Sequence, residues 1–350
     1  MSSRPRAPTI VDVARRAGTS IASVSNVLNN KDRSVGPELR ARILAVAGEL
    51  GYVKNAVASR LKGKQRGLIA VLVPQFGNNF FTRICVDVES VAREAGYVVI
   101  ICNSDESIEQ ERAILERLIA QRIDGCILCP ALSQTRNAEL LQQHRMPTVI
   151  LERPLGTELP AHDFVGHDNR QAGYLATRAL LEAGHRNIAF IGWNSPIPNI
   201  RHRADGYVDA LREFGLTPRP DWLLQGELDL NEGRRMVASL PIGEITALVL
   251  ANHLDLGKGA LMELHARGLR WPDDLSVVLV GTPDWCDLVT PALTCIERPE
   301  AEMGRRAATL LLSKVAAPER DGPQLVLPVT LRDGQSVKTI SHDSADRSRG

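Results

Sequence analysis

Two short clusters in this 350-residue chain carry side chains whose types and spacing could do chemistry. The first is Ser20-Ile-Ala-Ser-Val-Ser-Asn26. On a helix its period turns Ile21, Ala22, Ser25 and Asn26 to one face and Val24, Val27 and Leu28 to the other. An asparagine amide on such a face can bond bidentately to adenine, and small apolar side chains can touch thymine methyl groups. The same spacing also suits a polar residue that meets only water. The second cluster is the CxxC of Cys126 and Cys129, a pattern used for metal or redox work. It lies in the apolar run Gly125-Cys-Ile-Leu-Cys129, which reads as a buried strand. Side chains three apart on a strand point to opposite faces, so this pair is ill placed to grip one metal. A core or pocket-wall role is expected for both, with neither metal nor disulfide.

The usual catalytic arrangements are missing. No GxGxxG opens a helix after the first strand, there is no GxxxxGK[ST] loop, and no Ser/His/Asp or metal-ligand cluster has recognisable spacing. Nothing argues for an enzyme, and no cofactor is implied. Charge is more informative once the chain is divided. Residues 1–66 hold thirteen Lys/Arg against four acids, a net of +9, whereas the remainder holds 29 against 37, a net of −8. Such asymmetry points to a nucleic-acid or membrane partner for the basic part, or else to a solvated basic face. There is no run of ~18 apolar residues, and Met1-Ser-Ser-Arg-Pro-Arg6 leads into a polar helix rather than a signal-peptide core. A cytoplasmic protein with no membrane partner is expected.

The elements that must position the first cluster form a helical head. Thr9 and Asp12 make a capping-type pair for a helix burying Val13, Ala14 and Ala17, which Gly18 ends. Ser20 caps the second helix, giving a helix, a short turn and a helix. In that geometry the second helix enters the major groove with its N-terminal residues at base edges. Gly36 and Pro37 open a third helix, with Leu39, Ile43, Leu44 and Ala47 facing inward and Gly51 beyond its end. Asn55 then caps a helix of about two turns, below the ~12–15 residues an isolated helix needs in water. It should be ordered only where something holds it.

From Gly67 the pattern changes. Apolar runs at Leu68–Val73, Tyr97–Ile101, Cys126–Cys129, Thr148–Leu151, Ile188–Ile191, Ala247–Leu250 and Ser276–Val280 alternate with helix-length segments. This alternation predicts two successive parallel sheets covered on both faces, with a ligand beyond the carboxyl ends of the strands. The expected domains are a helix-turn-helix unit over 1–53, a hinge helix and linker over 54–66, an effector-binding and dimerisation domain of two interleaved lobes over 67–340, and a disordered polar tail over 341–350.

Thr9-Ile-Val-Asp-Val-Ala-Arg-Arg-Ala-Gly-Thr-Ser20, Ser23-Val-Ser-Asn-Val-Leu-Asn29, Glu49-Leu-Gly-Tyr52 and Asn55-Ala-Val-Ala-Ser-Arg-Leu61 together resemble the lactose/galactose repressor (LacI/GalR) family. The likeness continues to about residue 335 through Gln121-Arg-Ile-Asp-Gly125, Val165-Gly-His-Asp-Asn169, Arg203-Ala-Asp-Gly-Tyr207 and Pro291-Ala-Leu-Thr294. The fold it implies is an all-α helix-turn-helix head with a hinge helix, followed by an α/β periplasmic-binding-protein-like domain of two Rossmann-like lobes. The implied function is a transcription regulator, a repressor, that binds a roughly palindromic double-stranded DNA operator as a homodimer, with tetramers also possible, under the control of a small-molecule effector.

By this resemblance Ile21, Ala22 and Asn26 read operator bases. Thr9, Ser20, Ser23, Asn30 and Tyr52 are further DNA contacts in the head, with Asn55, Ala58 and Leu61 in the hinge. Leu61 matches the leucine that wedges into the minor groove and kinks it. Asn26 departs from the Arg or His frequent at its position. The carried-over effector residues are Asn78, Phe80, Phe81, Cys129, Glu152, Asn199, Arg203 and Asn252. Arg203 offers a fork of donors for hydroxyls, a ring oxygen or a carboxylate, or alternatively pairs with Asp205 or another nearby acid. Glu152 accepts ligand hydroxyls or pairs with Arg153. Two further departures remove acids. Leu279-Val-Gly-Thr282 stands where Gly-Phe/Tyr-Asp-Asp is frequent, and His253 replaces the Asp of an Asn-Asp pair. The expected effector is a sugar, a sugar acid or a related small carboxylate, and because a pocket with fewer carboxylates suits an anion, the acids are favoured over a neutral sugar.

Overall fold

A computed structural model describes residues 7–28, 35–52, 66–133, 136–155, 162–251, 254–318 and 322–340. The chain divides into two compact units, Met1–Arg66 and Gly67–Gly350.

The first unit contains α1 (Ile10–Ala17), α2 (Ile21–Leu28) and α3 (Pro37–Glu49). Thr9 and Asp12 close a reciprocal capping box: the Thr9 N–H donates to Asp12 Oδ2 at 2.9 Å, while the Thr9 side chain accepts from the Asp12 N–H. Gly18 adopts φ 63°, and the Thr19 N–H donates to the Ala14 carbonyl at 3.0 Å, which turns the chain sharply into α2. Ser20 Oγ accepts from the Ser23 N–H at 3.1 Å, fixing the start of α2. Val13, Ala14, Ala17, Val24, Val27, Ile43, Val46 and Ala47 form the core. One inward residue expected in α3 is corrected: Leu44 is 49 % exposed and Val46 is buried instead. The inward stripe runs 39, 43, 46, 47 and 50, and position 44 lies about 100° off it.

The second unit has two six-stranded sheets. In the first lobe the strand order is β11-β5-β4-β3-β1-β2, all parallel. These strands are β1 (Leu68–Val73), β2 (Val98–Asn103), β3 (Gly125–Leu128), β4 (Thr148–Leu151), β5 (Asp163–His167) and β11 (Gln324–Leu327). In the second lobe the order is β12-β10-β9-β8-β6-β7, with only β12 antiparallel. They are β6 (Ile188–Trp193), β7 (Leu223–Gly226), β8 (Ala247–Leu250), β9 (Ser276–Val280), β10 (Thr294–Glu297) and β12 (Thr330–Arg332). The helices that matter for the site are α4 (Asn79–Glu94), α5 (Ile108–Ala120), α6 (Arg136–Gln143), α7 (Asn169–Glu182), α8 (Pro198–Glu213), α9 (Leu230–Ser239), α10 (Asp255–Ala266) and α11 (Glu300–Ala316).

The chain changes lobe after β5, after β10 and between β11 and β12, because α7 packs on the second sheet while α11 and β11 return to the first. The inner strands of both sheets are buried on two faces and therefore read as nearly unbroken apolar runs. Period-2 alternation separates the CxxC residues: Cys126 packs with Leu115, Leu128 and Leu141 on one face, and Cys129 with Ile127, Leu151 and Val165 on the other. Among the described residues no helix is long and apolar enough to cross a membrane.

Candidate functional site

Two places can meet a partner. On the head, α2 turns Ile21, 48 % exposed, and Ala22 outward at its N-terminal end, with Ser23 and Asn26 half-buried beside them. Ser20 Oγ lies 2.9 Å from Ser23 Oγ, so these hydroxyls brace the end of the helix that bears the candidate base readers. Arg15 and Arg16 on α1 remain largely exposed although Arg16 also reaches Glu49 at 3.2 Å. Thr9 is half-buried and engaged in its capping box, and Tyr52 packs against the head core. Asn30, Asn55, Ala58 and Leu61 lie outside the described residues, and so does the hinge helix.

In the second unit a cleft of about 510 Å³, counted to its mouth, opens at the carboxyl ends of both sheets. Of the expected effector residues, Asn78, Phe80, Phe81, Glu152, Asn199 and Arg203 line it together. Asn78 caps α4, its Oδ1 accepting from the Phe80 N–H at 3.1 Å, which fixes Phe80 and Phe81 at the wall. The two rings meet edge to face with centroids 5.1 Å apart. Cys129 requires a correction: it is fully buried in the first-lobe core and is not part of the cleft wall, because its strand parity turns it towards α4 and α11. Asn252, with His253, lies outside the described residues.

The polar floor is a connected network. Glu152 follows β4 in a left-handed conformation, φ 60°, costly for a non-glycine residue. Its carboxylate reaches His167 Nδ1 at 2.8 Å, and it accepts from Asn199 Nδ2 at 3.0 Å and Asn169 Nδ2 at 3.2 Å. Burial pushes this carboxyl up, but His167, Arg203 and the Asn169 amide outweigh it and hold it below the usual carboxylate range. Arg203 Nε donates to Asn169 Oδ1 at 2.7 Å and Nη1 to the Ala251 carbonyl at 2.8 Å. Helices α7 and α8 bring these groups together by close approach at glycines: a Cβ on Gly173 would lie 1.9 Å from the Arg203 carbonyl oxygen. Arg203 therefore pairs with neither Asp205 nor another described acid. Burial, then repulsion from Arg298, pushes it down to about 10, with Glu152 acting the other way.

Sequence reasoning missed several members of this wall. Arg298, at the second lobe crossing, stacks its guanidinium 4.2 Å from the Phe80 ring centroid and meets Glu300 at 3.2 Å. Arg153, rather than pairing with Glu152, takes Glu106 bidentately at 2.6 and 2.7 Å. Trp193 lies at the end of β6 and also lines the cleft. Asp284, two residues beyond the Thr282 noted for its missing acid, pairs with Arg83 and accepts from Asn79 Nδ2 at 2.8 Å, linking the lobes. Arg298-Pro299 after a strand was the available signal for the crossing, but its meaning depends on the tertiary path.

A helix-turn-helix head followed by a two-lobed domain with a polar cleft defines a ligand-controlled transcription regulator. Residues 9–55 match the signature described as bacterial regulatory proteins, lacI family, and residues 177–337 that of a periplasmic binding protein-like domain. The HTH-type transcriptional repressor PurR of Photobacterium profundum is 30 % identical over 335 residues, covering 93 % of this chain and 99 % of that protein. The PurR of Aliivibrio fischeri strain ATCC 700601 is 31 % identical over 312 residues, covering 88 % and 91 %. Among solved structures, the CelR–cellobiose complex matches with a TM-score of 0.69 at 26 % identity, covering 94 % of this chain and 99 % of that one. The lac repressor dimer bound to operator and the anti-inducer ONPF shares the fold, with a TM-score of 0.82 at 24 % identity and coverage of 95 % and 100 %. The chain belongs to the lacI family of bacterial regulatory proteins. It is a DNA-binding, ligand-controlled repressor and not an enzyme.

Proposed function

We propose that the protein represses from a roughly palindromic operator as a homodimer, and that its effector is a small carboxylate of the sugar-acid type held between the lobes. The observation that carries the effector class is a buried guanidinium, that of Arg203, with no carboxylate within ion-pair distance among the described residues. Arg153, Arg203 and Arg298 face the cleft against Glu106 and Glu152. Glu106 is matched to Arg153 and Glu300 to Arg298, Glu152 lies 2.8 Å from His167, and no described carboxylate lies within ion-pair distance of Arg203. A buried guanidinium left without a carboxylate partner favours an anion beside it. Arg203 supplies the donor fork, Asn199 and Asn78 supply hydroxyl contacts, and Phe80, Phe81 and Trp193 form the apolar wall.

On DNA, Ile21, Ala22 and Asn26 read base edges, Thr9, Ser20, Ser23 and Tyr52 position the head, and the arginines of α1 add sequence-independent attraction. For Asn30, Asn55, Ala58 and Leu61 the assignment rests on the family likeness alone. Control is by linkage: the effector prefers one arrangement of the lobes, and that arrangement changes how the two hinge segments meet. A neutral sugar is the competing reading, favoured by the cellobiose in the CelR complex and by the ribose bound to a LacI family regulator of Enterococcus faecium, 27 % identical with a TM-score of 0.69. Titration calorimetry of the purified protein against sugar acids, other small carboxylates, neutral sugars and purines decides the class. Heat from carboxylates that disappears in Arg203→Leu is expected. Binding of neutral sugars or purines alone refutes the carboxylate reading.

A further inference from the structure

A second reactive cluster lies away from the cleft floor, where the connection between β9 and β10 folds over the β10–β12 edge. Cys295 on β10 is paired in register with Arg332 on β12. Arg332 Nη2 donates to Cys286 Sγ at 2.8 Å and stands 4.0 Å from Cys295 Sγ. Both thiols are free, and Cys295 Sγ donates to the Leu293 carbonyl at 3.4 Å. Arg332 is held in place by Asp287 at 3.0 Å, with Glu297 at 3.8 Å. Cys286 thus receives a guanidinium donor at its sulfur. Such surroundings stabilise a thiolate, which is the reactive form of cysteine.

We propose that Cys286 and Cys295 form a peroxide-sensitive dithiol, with Cys286 the attacking sulfur and Cys295 the resolving one. Cys286 first gives its proton to solvent. Its thiolate then attacks one oxygen of hydrogen peroxide, the O–O bond breaks, and the departing hydroxide takes a proton to become water. The sulfur is oxidised to sulfenic acid. Cys295 attacks that sulfur, the S–S bond forms, the S–O bond breaks, and the Cys295 proton leaves with the hydroxyl as a second water. Two thiols and one peroxide become one disulfide and two waters.

The roles follow from the donors. Burial pushes the Cys295 thiol up to about 12, so it stays protonated and donates to the Leu293 carbonyl, whereas Cys286 accepts from the Arg332 guanidinium. Cys85, Cys126 and Cys129 are also buried, and burial pushes their thiols up, but among the described residues none receives a hydrogen bond from a guanidinium. Cys286 is buried, 1 % exposed, while the next two residues, Asp287 and Leu288, are exposed, Leu288 by 81 %. A peroxide needs only a local opening of this connection to reach the sulfur.

The connection also touches the other lobe. Arg83 Nη1 on α4 donates to the Thr282 carbonyl at 3.0 Å, and Asp284 pairs with Arg83 and Asn79. A disulfide at position 286 would fix the segment that carries this interlobe clasp, placing an oxidation signal on the same lobe arrangement that the effector sets.

The test is non-reducing peptide mapping of the full-length protein after hydrogen peroxide, with a sulfenic-acid trap in parallel. Wild type should yield a 286–295 disulfide with the other four thiols still alkylatable. Cys295→Ser should trap the reagent at Cys286, and Cys286→Ser should leave Cys295 a free thiol. In Arg332→Gln, which removes the guanidinium donor from Cys286 Sγ, oxidation should slow several-fold. The wild-type map needs no variant to fold. A 286–295 link that is absent, or that forms no faster than links among the other cysteines, overturns the proposal.

Discussion

Replacing Gly173 by alanine probes the interface that sets Arg203. The added Cβ would lie 1.9 Å from the Arg203 carbonyl oxygen, whereas ordinary contact begins at 3.4 Å. The α7 and α8 backbones must therefore separate by about 1.5 Å, and because the obstacle is a carbonyl rather than a side chain, no rotamer change relieves it. Gly206 makes the reciprocal approach, its Cβ falling 2.0 Å from the Arg170 carbonyl, so the helices cannot slide to escape. Overpacking of this kind costs ~1–3 kcal/mol, and the upper end applies to backbone. Alanine returns ~1 kcal/mol of helix propensity. The net loss is about 2 kcal/mol, or roughly 0.7 M in urea at a slope of ~3 kcal/mol/M. The assay is urea unfolding of the second unit followed by a tryptophan signal, with Gly48→Ala as the control. Gly48 lies in α3 of the other unit with nothing within 4 Å of an added Cβ. An unchanged midpoint in Gly173→Ala would refute the close-approach argument and the placing of Arg203 that depends on it.

Glu152→Gln should reduce the acid sensitivity of the second unit. Because the folded carboxyl lies below its ordinary value, the unfolded chain takes up the proton more readily. The contribution is therefore fully present above the unfolded value of about 4.3 and is lost as pH falls through the folded one. Urea midpoints of wild type and variant should converge on acidification, and parallel curves would contradict the reading. Asn26→Ala should weaken binding to the operator more than to random duplex, whereas Arg16→Ala should weaken both alike and flatten the salt dependence. Filter binding across a salt series separates the two, and equal specificity ratios would remove Asn26 as a base reader. Thr9→Ala deletes the capping box and should lower head stability by ~1 kcal/mol, read by hydrogen exchange in α1. Unchanged protection would show that the box contributes nothing.

Much of the fold was legible because buried parallel strands are written as apolar runs. Leu68–Val73, Thr148–Leu151, Ala247–Leu250 and Ser276–Val280 appear at their expected bounds. The strand Asp163–His167 was hidden because its polar ends are buried by partners distant in sequence, Asp163 on Lys314 at 3.1 Å and His167 on Glu152. The short strands Gln324–Leu327 and Thr330–Arg332 lie at sheet edges, where half-exposed positions dilute the apolar signal. At the cleft, Arg203 and Glu152 were found by likeness to a family pattern, but their partners Asn169, Ala251 and His167 come from other elements. Arg298 escaped because its place depends on where the chain crosses between lobes. Leu44 was misplaced for a local reason, an assignment one position off a helical stripe.

Binding of the full-length protein to a pool of duplexes, with and without a sugar-acid panel, tests the central claim most directly. The account predicts that a dimer selects a roughly palindromic site at moderate salt and that at least one carboxylate changes its occupancy. Selection of no palindromic duplex, or a protein that remains strictly monomeric on DNA, would contradict it.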